Sequence, residues 1–255
     1  FAQHAKLYLP IRPGTDNWLL NAMAHVILKE GLENNEFIKT RTEGFEELKA
    51  FVKDITPEKA AEFTGIPAED IRQAARLYAK SEKSAIYYTL GITEHTCGTD
   101  NVRTIANLAL LTGHVGKPST GVNPIRGQNN VQGATDMCTP DKLPGYQLFS
   151  DQKAVEKFEN AWGVTLNKKP GNTSPTMFER MHKGEFKALY VIGEDPIMSE
   201  PNQDYTIKGL KNLELLVVQD IFMSETAHYA DVILPATSFA EKDGTFTNTE
   251  RRVQR

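Results

Sequence analysis

One run of the chain combines a single arginine with several amide side chains. Residues 121–133 read GVNPIRGQNNVQG, and the three glycines and one proline predict an irregular loop rather than a helix or strand. Arg126, Gln128 and Gln132 are the side chains of this run that could contact a ligand. A fixed guanidinium among amide groups suits a polar, anionic ligand, whose charge Arg126 would orient or stabilise. The alternative is that Arg126 bonds loop carbonyls or a buried acid.

A second set of polar residues follows three apolar runs in the second half of the chain. The runs are KALYVI at 187–192, ELLVVQ at 214–219 and ADVILP at 230–235. Short apolar runs separated by helical or turn segments are typical of a parallel sheet built from crossover units. Ligands bind beyond the carboxyl ends of the strands in such sheets, so the residues that follow each run matter most.

The residues at the ends of these runs are rich in hydrogen-bond acceptors and poor in cations. They are Gly193, Glu194, Asp195 and Pro196, then Gln219 and Asp220, and finally Ala236, Thr237 and Ser238. Acceptors suit a base edge that donates, such as the N1–H and amine of guanine, because one carboxylate can accept from both. They suit a bare phosphate poorly, since no Lys or Arg stands nearby to balance its charge. The alternative is that Asp195 and Asp220 cap helices or turns.

The other elements that must position these residues are mainly helices. Helices are predicted at 15–30, 68–80, about 100–112 and 151–162, and Thr56-Pro57 and Gly65 mark the start and stop of another. A β-rich segment at 84–91, closed by Gly91, predicts a buried strand, and the polar stretch 164–175 predicts a loop. We therefore expect an α/β protein with parallel sheets.

Composition and charge limit the class of protein. Hydrophobic residues make up 40% and charged residues 24% of the 255 residues, which is ordinary for a globular protein. The net charge of −4 argues against a general nucleic-acid binder. We expect a cytoplasmic protein, because the sequence shows neither a signal peptide nor an apolar run as long as a membrane span. The chain starts at Phe1 without a methionine and stops at Arg255 amid a charged run, so we expect a piece of a longer polypeptide.

Cysteines and histidines predict no metal site. Cys97 and Cys138 lie far apart in the sequence and have no CxxC partner, so two free thiols in a reducing compartment are expected. His25 is expected to pack in the core or at its boundary, and His95 to lie on a surface loop. GxSxG, P-loop and HExxH motifs are absent from the sequence, so hydrolase, nucleotidase and metalloprotease functions have no support.

Several longer stretches carry a family resemblance. They are RTEGFEE at 41–47, IRQAAR at 71–76, LLTGHVGKPSTGVNPIRGQNNVQGATDM at 110–137, GEDP at 193–196, VVQDIFMSETAHYADVILPATS at 217–238 and EKDGTFTNTERRVQR at 241–255. Together they resemble the catalytic subunit of molybdopterin-dependent formate dehydrogenases, within the wider molybdopterin oxidoreductase family. The matches run in family order and cover essentially the whole chain.

The resemblance implies roles for individual residues. Arg126 would lie beside the metal and help to hold formate or its transition state, and Gln128 would contact a pterin. Gly91 and Glu94 match a loop that approaches the cofactor. The nucleotide end of the cofactor would be bound by Gly193, Glu194, Asp195, Ser199, Gln219 and Asp220, among which Asp195, Gln219 and Asp220 would read the guanine.

The resemblance also implies cofactors, partners and domains. The cofactor would be a bis(molybdopterin guanine dinucleotide) centre with molybdenum or tungsten. The ligands of a 4Fe-4S cluster, and the cysteine or selenocysteine that ligates the metal, would lie outside this chain. Formate would be the substrate, and electrons would pass to an iron–sulfur subunit or acceptor protein. Residues 1–128 would form part of a molybdopterin-binding α/β domain, 129–238 part of a second one binding the guanine dinucleotide, and 239–255 the start of a following segment.

Two other functions stay open from the sequence. A related oxidoreductase acting on another small oxo-substrate, such as a nitrate reductase, would share most of these features. A structural relative in a respiratory complex would keep the fold without binding a pterin. Retention of Arg126, Gln128, Asp195 and Asp220 argues against the structural relative, because a site out of use has no reason to hold them. The 255 residues alone are not expected to catalyse.

Overall fold

The computed structural model describes residues 2–255, and Phe1, the first residue of the first predicted domain, lies outside them. The described chain divides into two compact units, one ending at Gly127 and the other running from Gln128 to Arg255. Each unit has its own buried core. The binding functions predicted for residues 1–128 and 129–238 stay predictions.

The first unit is mostly helical. After a 3-10 turn at Ala2–His4, its elements are α1 (Asp16–Lys29), α2 (Asn35–Arg41), α3 (Phe45–Val52), α4 (Pro57–Thr64), α5 (Ala68–Lys80), β1 (Ala85–Tyr88), α6 (Leu90–Thr93), α7 (Gly98–Thr112) and β2 (Gly121–Pro124). The helices predicted at 15–30, 68–80 and about 100–112 are confirmed as α1, α5 and α7.

Local signals at both ends explain α4. The Thr56 hydroxyl oxygen accepts from the backbone N–H of Lys59 at 3.3 Å, and Pro57 occupies the first helical position. A proline is favourable there because the first N–H groups of a helix have no intrahelical partner. Gly65 ends the helix with a φ of +77°, a left-handed conformation that a side chain would strain.

Packing around α1 forms the core of the first unit. Ile27 on α1 and Ile71 on α5 are fully buried, each with 0% of its surface exposed. Burial of one such side chain contributes about 1.5–3 kcal/mol relative to leaving it in water. At the surface, the Arg76 guanidinium on α5 lies 2.8 Å from the Glu30 carboxylate, just beyond the end of α1. Hydrophobic burial and this ion pair together hold α1 against α5.

Two short strands of the first unit pair in parallel. Ala85 lies opposite Gly121 and Tyr88 opposite Pro124. The prediction that 121–133 contains no strand is therefore wrong at its first four residues. Pairing with β1, far away in sequence, outweighs the low strand propensity of glycine and proline. Pro124 stands at the end of β2, where its missing N–H disturbs the pairing least.

The strand predicted at 84–91 is shorter and less buried than expected. β1 ends at Tyr88, and Leu90–Thr93 forms the single turn α6. The N–H of Glu94 donates to the carbonyl of Leu90 at 2.9 Å, a local bond that replaces strand pairing. Gly91 lies inside this turn rather than closing the strand. Tyr87 on β1 is 68% exposed.

The second unit alternates strands and helices. Its elements are α8 (Val131–Met137), β3 (Lys142–Leu143), β4 (Gln147–Leu148), α9 (Gln152–Trp162), α10 (Ser174–His182), β5 (Ala188–Ile192), α11 (Pro196–Ser199), α12 (Gln203–Leu210), β6 (Leu215–Asp220), β7 (Val232–Pro235), β8 (Phe246–Thr247) and β9 (Val253–Gln254). 3-10 turns lie at Pro144–Tyr146, Thr226–Tyr229 and Phe239–Glu241. The predicted helix at 151–162 and the three predicted strands are confirmed as α9, β5, β6 and β7.

The strands β5, β6 and β7 form a parallel sheet with β6 in the middle. Val191 lies opposite Val218, and Val218 lies opposite Ile233. Side chains of α10 and α12, including Met181 and Leu210, pack on one face of this sheet. Alternation along a strand places Val191 and Val218 on that covered face. Within the described residues, the opposite face is largely exposed.

Asn130 joins α8 to the antiparallel pair β8–β9. Its side-chain Oδ1 accepts from the backbone N–H of Thr247 at 3.0 Å. A Cβ at Gly133 would lie 2.2 Å from the same oxygen, so a side chain there would push the Asn130 oxygen away from Thr247. The prediction of an irregular loop is also wrong at the last three residues of 121–133, because α8 begins at Val131. Residues 239–255, predicted to begin a following segment, contribute β8 and β9 to the second unit.

The described elements confirm an α/β fold with parallel sheets. Helices and strands alternate along most of the second unit, as crossover connections between parallel strands require. Across residues 2–255, none of the helices combines the length and the apolar character that a membrane span needs.

His114 is a buried titratable group in the first unit, 3% exposed. Its Nε2 lies 3.2 Å from the carbonyl oxygen of Tyr78, and its ring meets the Tyr78 ring edge-on. Its Nδ1 has no hydrogen-bond partner among the described residues. Burial lowers the pKa of His114 below its ordinary value of 6.5, and the charge of Lys117 lowers it further. His114 is therefore neutral in the folded protein at neutral pH.

We expect the protein to lose stability as the pH falls below 6.5, the ordinary pKa of histidine. An unfolded histidine takes up a proton there while the buried His114 does not, so protons favour the unfolded state. The loss continues until the pH reaches the lower pKa of the folded state. His114→Gln should therefore lose less melting temperature than the wild type between about pH 7.5 and about pH 5.5. The matched control is His228→Gln at an exposed position. If the wild type and His114→Gln lost the same melting temperature over this pH range, His114 would not be the source of the pH dependence.

Candidate functional site

The carboxyl ends of β5, β6 and β7 meet at one edge of the parallel sheet. Beyond the strands, the backbone N–H of Gly193 donates to the carbonyl of Gln219 at 2.9 Å, and that of Ala236 donates to the carbonyl of Asp220 at 2.9 Å. These bonds bring together the residues predicted at the strand ends. Residues 193–195 are called the β5 loop below, and residues 221–225 the β6 loop. The candidate site of the second unit is the edge of the sheet at which the carboxyl ends of β5, β6 and β7 meet.

Gly193 turns the chain sharply after β5. Its φ is +61°, in the left-handed region, and apart from Gly193 and its two chain neighbours no described heavy atom lies within 4 Å of the position that a Cβ would take. The space in front of this turn is therefore open to a ligand that approaches the backbone closely. A side chain at this position would be strained by the backbone conformation rather than by neighbouring atoms.

The Asp195 carboxylate is used within the chain. Its Oδ1 accepts from the Thr226 hydroxyl at 2.6 Å and from the Thr226 N–H at 3.0 Å, and its Oδ2 accepts from the Glu225 N–H at 3.0 Å. Burial alone would raise the pKa of Asp195, but the hydrogen bonds from Thr226 and Glu225 outweigh it and hold the pKa below the ordinary 3.8. This is the capping arrangement that the sequence left open as an alternative.

Asp220 uses only one of its two carboxylate oxygens. Its Oδ1 accepts from the N–H groups of Ile221 at 2.6 Å and Phe222 at 3.3 Å, which starts the β6 loop. Its Oδ2 has no partner among the described residues. Asp220 is half-buried, so this second oxygen can accept from a ligand at the carboxyl edge.

Gln219 and Glu194 are each oriented by a hydroxyl. Tyr190, on the exposed face of β5, donates its hydroxyl to Oε1 of Gln219. Ser199 at the end of α11 donates to Oε1 of Glu194 at 2.8 Å. Because Glu194 is an exposed carboxylate, its second oxygen stays available to a ligand. The acceptors of the edge are thus partly fixed by side chains that donate to them.

Two residues of this edge were missed from the sequence. Strand alternation predicts that Tyr190 shares a face of β5 with Ile192, but only the register of the sheet places Ile192 opposite Gln219. Thr226 gave no signal, because its partner Asp195 lies far away in the sequence. Both side chains act through hydroxyl groups that orient a predicted site residue.

Arg126 lies at the carboxyl edge of the parallel pair β1–β2. The N–H of Ile125 donates to the carbonyl of Tyr88 at 2.8 Å, and Arg126 follows directly. Arg126 is exposed, and within residues 2–255 it forms neither an ion pair nor a side-chain hydrogen bond. The alternative of an arginine held by loop carbonyls or a buried acid is therefore not what the described residues show. Its charge is free for a ligand.

Gly91 and Glu94 follow the end of β1 at the same edge as Arg126. Gly91 is exposed, and a Cβ added there would meet nothing within 4 Å. The Glu94 side chain is exposed and makes no hydrogen bond to another described residue. Parallel pairing of β1 with β2 thus collects the three predicted site residues of the first unit on one side.

Gln128 and Gln132 differ in whether their side chains are hydrogen-bonded within the chain. Gln128 is exposed in the turn before α8, and its side chain has no partner among the residues that the structure describes. Gln132 lies inside α8, and its amide donates to Asp136 at 2.9 Å, one helical turn further on. Gln128 is therefore available to a ligand, whereas Gln132 is occupied within its own helix.

No metal ligand set is visible in the described part of the chain. Cys97 and Cys138 are free thiols. Among residues 2–255, no cluster of three or more His, Cys, Asp or Glu side chains is placed to hold a metal ion. A cavity of about 430 Å³ in the first unit is lined by Ile38, Leu48 and Leu111, among others, and by none of the predicted site residues.

Comparison with known proteins gives a family. The family model for molybdopterin oxidoreductase matches residues 2–255. The F420-dependent formate dehydrogenase 2 subunit alpha of Methanococcus maripaludis is 51% identical, over 100% of this chain and 37% of that protein. Formate dehydrogenase H of Escherichia coli is 46% identical, over 100% of this chain and 36% of that protein.

A solved structure shares the fold. Acetylene hydratase from Pelobacter acetylenicus is similar with a TM-score of 0.74 at 26% sequence identity, over 96% of this chain and 36% of that chain. The chain thus spans little more than a third of the length of the relatives it matches. Within that span, sequence and fold agree, and the chain belongs to the molybdopterin oxidoreductase family.

Proposed function

We propose that the chain is part of a formate dehydrogenase that oxidises formate to carbon dioxide. The observation that carries this proposal is Arg126, an exposed guanidinium with no partner among the described residues, at the carboxyl edge of a parallel strand pair. It stands in a chain about half identical to subunits named as formate dehydrogenases. A free cation fits an anionic substrate as small as formate.

The proposed cofactor is a bis(molybdopterin guanine dinucleotide) centre with molybdenum or tungsten. The second unit fits the guanine end, because Asp220 and Glu194 keep free carboxylate oxygens at one edge and Gly193 leaves room for close approach. A guanine offers N1–H and amine donors that such oxygens accept. Asp195, Gln219 and Ser199 belong to the same proposed site, where their hydrogen bonds within the chain fix its shape.

The first unit and Gln128 would serve the reacting end. The Arg126 guanidinium would hold the formate carboxylate and orient its C–H bond, and Gln128 would contact a pterin. Gly91 and Glu94 would line the approach of the cofactor. When bound, the metal centre supplies the redox chemistry, taking up the two electrons released as formate becomes carbon dioxide and a proton. The residues of this chain contribute charge, orientation and binding.

The proposal extends to the electron acceptor of the protein and to its location in the cell. The electrons would pass to a 4Fe-4S cluster, whose ligands would lie outside these residues, and on to an iron–sulfur subunit or acceptor protein. A cytoplasmic location fits the free thiols of Cys97 and Cys138, since a reducing compartment keeps thiols unpaired.

Two alternatives are separated by simple measurements. A nitrate reductase-like enzyme would turn over nitrate, so assays of the full-length protein with formate and nitrate distinguish the two substrates. A non-catalytic structural relative would contain neither metal nor pterin, which metal analysis and pterin fluorescence would reveal. The free oxygens of Asp220 and Glu194 favour a relative that binds its cofactor, because these two oxygens make no hydrogen bond to the described residues.

Replacement of Arg126 tests the substrate role. In the full-length enzyme, Arg126→Leu should keep its metal and pterin but lose formate turnover by roughly a hundredfold or more, because the charge that holds formate is gone. Metal content and kcat/KM for formate are the measurements. Arg103→Leu is a matched control, since Arg103 is an arginine of the same unit with 74% of its side chain exposed. Wild-type turnover by Arg126→Leu would refute the role of Arg126.

Replacement of Asp220 tests the guanine role. Asp220→Asn keeps an oxygen for the turn that starts the β6 loop and replaces the second oxygen by an amide NH2 group, which donates but cannot accept from a base. We expect roughly tenfold weaker retention of the guanine nucleotide, from the loss of a charge-assisted hydrogen bond. Guanosine monophosphate released by acid from equal amounts of purified protein measures it. Asp204→Asn, at an exposed position of α12, should retain the wild-type amount.

A further inference from the structure

The β6 loop has little to hold it in place between its two ends. Ile221, Phe222 and Met223 are 49%, 78% and 55% exposed, so they contribute little to the core of the second unit. At its start, the loop is fixed by the two N–H groups that donate to Asp220. The conformation of the loop, and with it the direction of the Asp220 carboxylate, therefore depends on how the far end is anchored.

Thr226 anchors that far end. It follows the β6 loop, and it is fully buried, at 0% exposure. Its hydroxyl donates to Oδ1 of Asp195 at 2.6 Å and accepts from the backbone N–H of Ile197 at 3.2 Å. Asp195 belongs to the β5 loop, and Ile197 is a core residue of α11, 2% exposed. The backbone N–H groups of Glu225 and Thr226 also donate to Asp195, and the hydroxyl adds a third bond between the two loops and the side-chain bond to the core at Ile197.

The link is made of strong and well-sheltered bonds. The hydroxyl donates to an ionised acceptor, and hydrogen bonds of this kind are about twice as strong as neutral ones. The low pKa of Asp195 is consistent with an ionised acceptor, because hydrogen bonds from Thr226 and Glu225 outweigh the effect of burial. Loss of the hydroxyl would also leave the Ile197 N–H without its acceptor in a buried place, which adds to the cost.

We propose that Thr226 is a positioning residue, whose hydroxyl, together with the two backbone bonds to Asp195, holds the β6 loop against the β5 loop so that Asp220 and Glu194 face one nucleotide together. This inference rests on the proposed function, because it concerns binding of the guanine end. It assigns Asp195 to holding Thr226 rather than to reading the base. Thr226 itself does not touch the ligand.

The experiment compares variants of the full-length holoenzyme. Thr226→Val keeps the shape of the side chain and removes the hydroxyl, whereas Thr226→Ser keeps the hydroxyl and removes the methyl group. Thr206→Val is the matched control, because Thr206 on α12 is equally buried at 1% exposure but bonds only the carbonyl of Asn202. Two quantities are measured: the rate at which guanine nucleotide and pterin leave the protein, and hydrogen exchange of the amides at 221–226.

The expected result is specific to the hydroxyl. Thr226→Val should release its cofactor roughly tenfold faster than the wild type, with faster exchange confined to 221–226. Thr226→Ser and Thr206→Val should behave like the wild type in both measurements. A merely structural role would speed exchange throughout the second unit in Thr226→Val and Thr206→Val alike, and would overturn the proposal.

Failure of this inference can be told from failure of the proposed function. If the wild-type protein yields no guanosine monophosphate after acid hydrolysis, the proposed function is wrong and this inference falls with it. If the wild type contains the nucleotide and Thr226→Val retains it equally well, only the positioning role is wrong. Fast release from Thr226→Ser would also overturn it, even if Thr226→Val fails to fold, because the serine keeps the hydroxyl.

Discussion

Parallel strand pairing is the constraint on which both candidate sites depend. In the second unit, backbone bonds from Gly193 to Gln219 and from Ala236 to Asp220 continue the pairing one residue past the strands. In the first unit, the bond from Ile125 to Tyr88 does the same. Parallel strands all end on the same side of the sheet. Backbone pairing alone therefore brings residues that are remote in sequence to one edge. Side-chain hydroxyls then set the orientation of what the backbone has delivered.

Much of this fold follows from local sequence signals. α4 lies where Thr56, Pro57 and Gly65 predict it, and the apolar runs that became β5 to β7 are recognisable by length and composition alone. Local signals failed at β2, because a strand of glycine, valine, asparagine and proline exists only through its pairing with β1. Propensity describes an isolated segment, and a partner elsewhere in the chain can override it.

The residues of the candidate site were easier to predict than their contacts. Asp195 and Asp220 look alike in sequence, each a carboxylate at the end of an apolar run. In the structure, both oxygens of Asp195 accept from Thr226 and Glu225, whereas Asp220 keeps one oxygen free. The sequence near Asp195 does not predict its hydrogen bonds with Thr226, because the sheet brings the two residues together. The sequence predicts that both carboxylates lie at strand ends. Which of their oxygens is free to accept from a ligand depends on the contacts formed in the fold.

In the proposed guanine site, the hydroxyl of Tyr190 has a consequence for which base the edge would select. By donating to Oε1 of Gln219, it takes one of the two acceptor positions of the amide oxygen, while the amide N–H groups have no partner among the described residues and can donate to a ligand. The edge then pairs a donor at Gln219 with an acceptor at Asp220. A guanine presents the complementary set, a carbonyl beside N–H groups, while adenine carries an amine where the carbonyl would be. Discrimination between the two purines would thus be set by a tyrosine hydroxyl that need not touch the base.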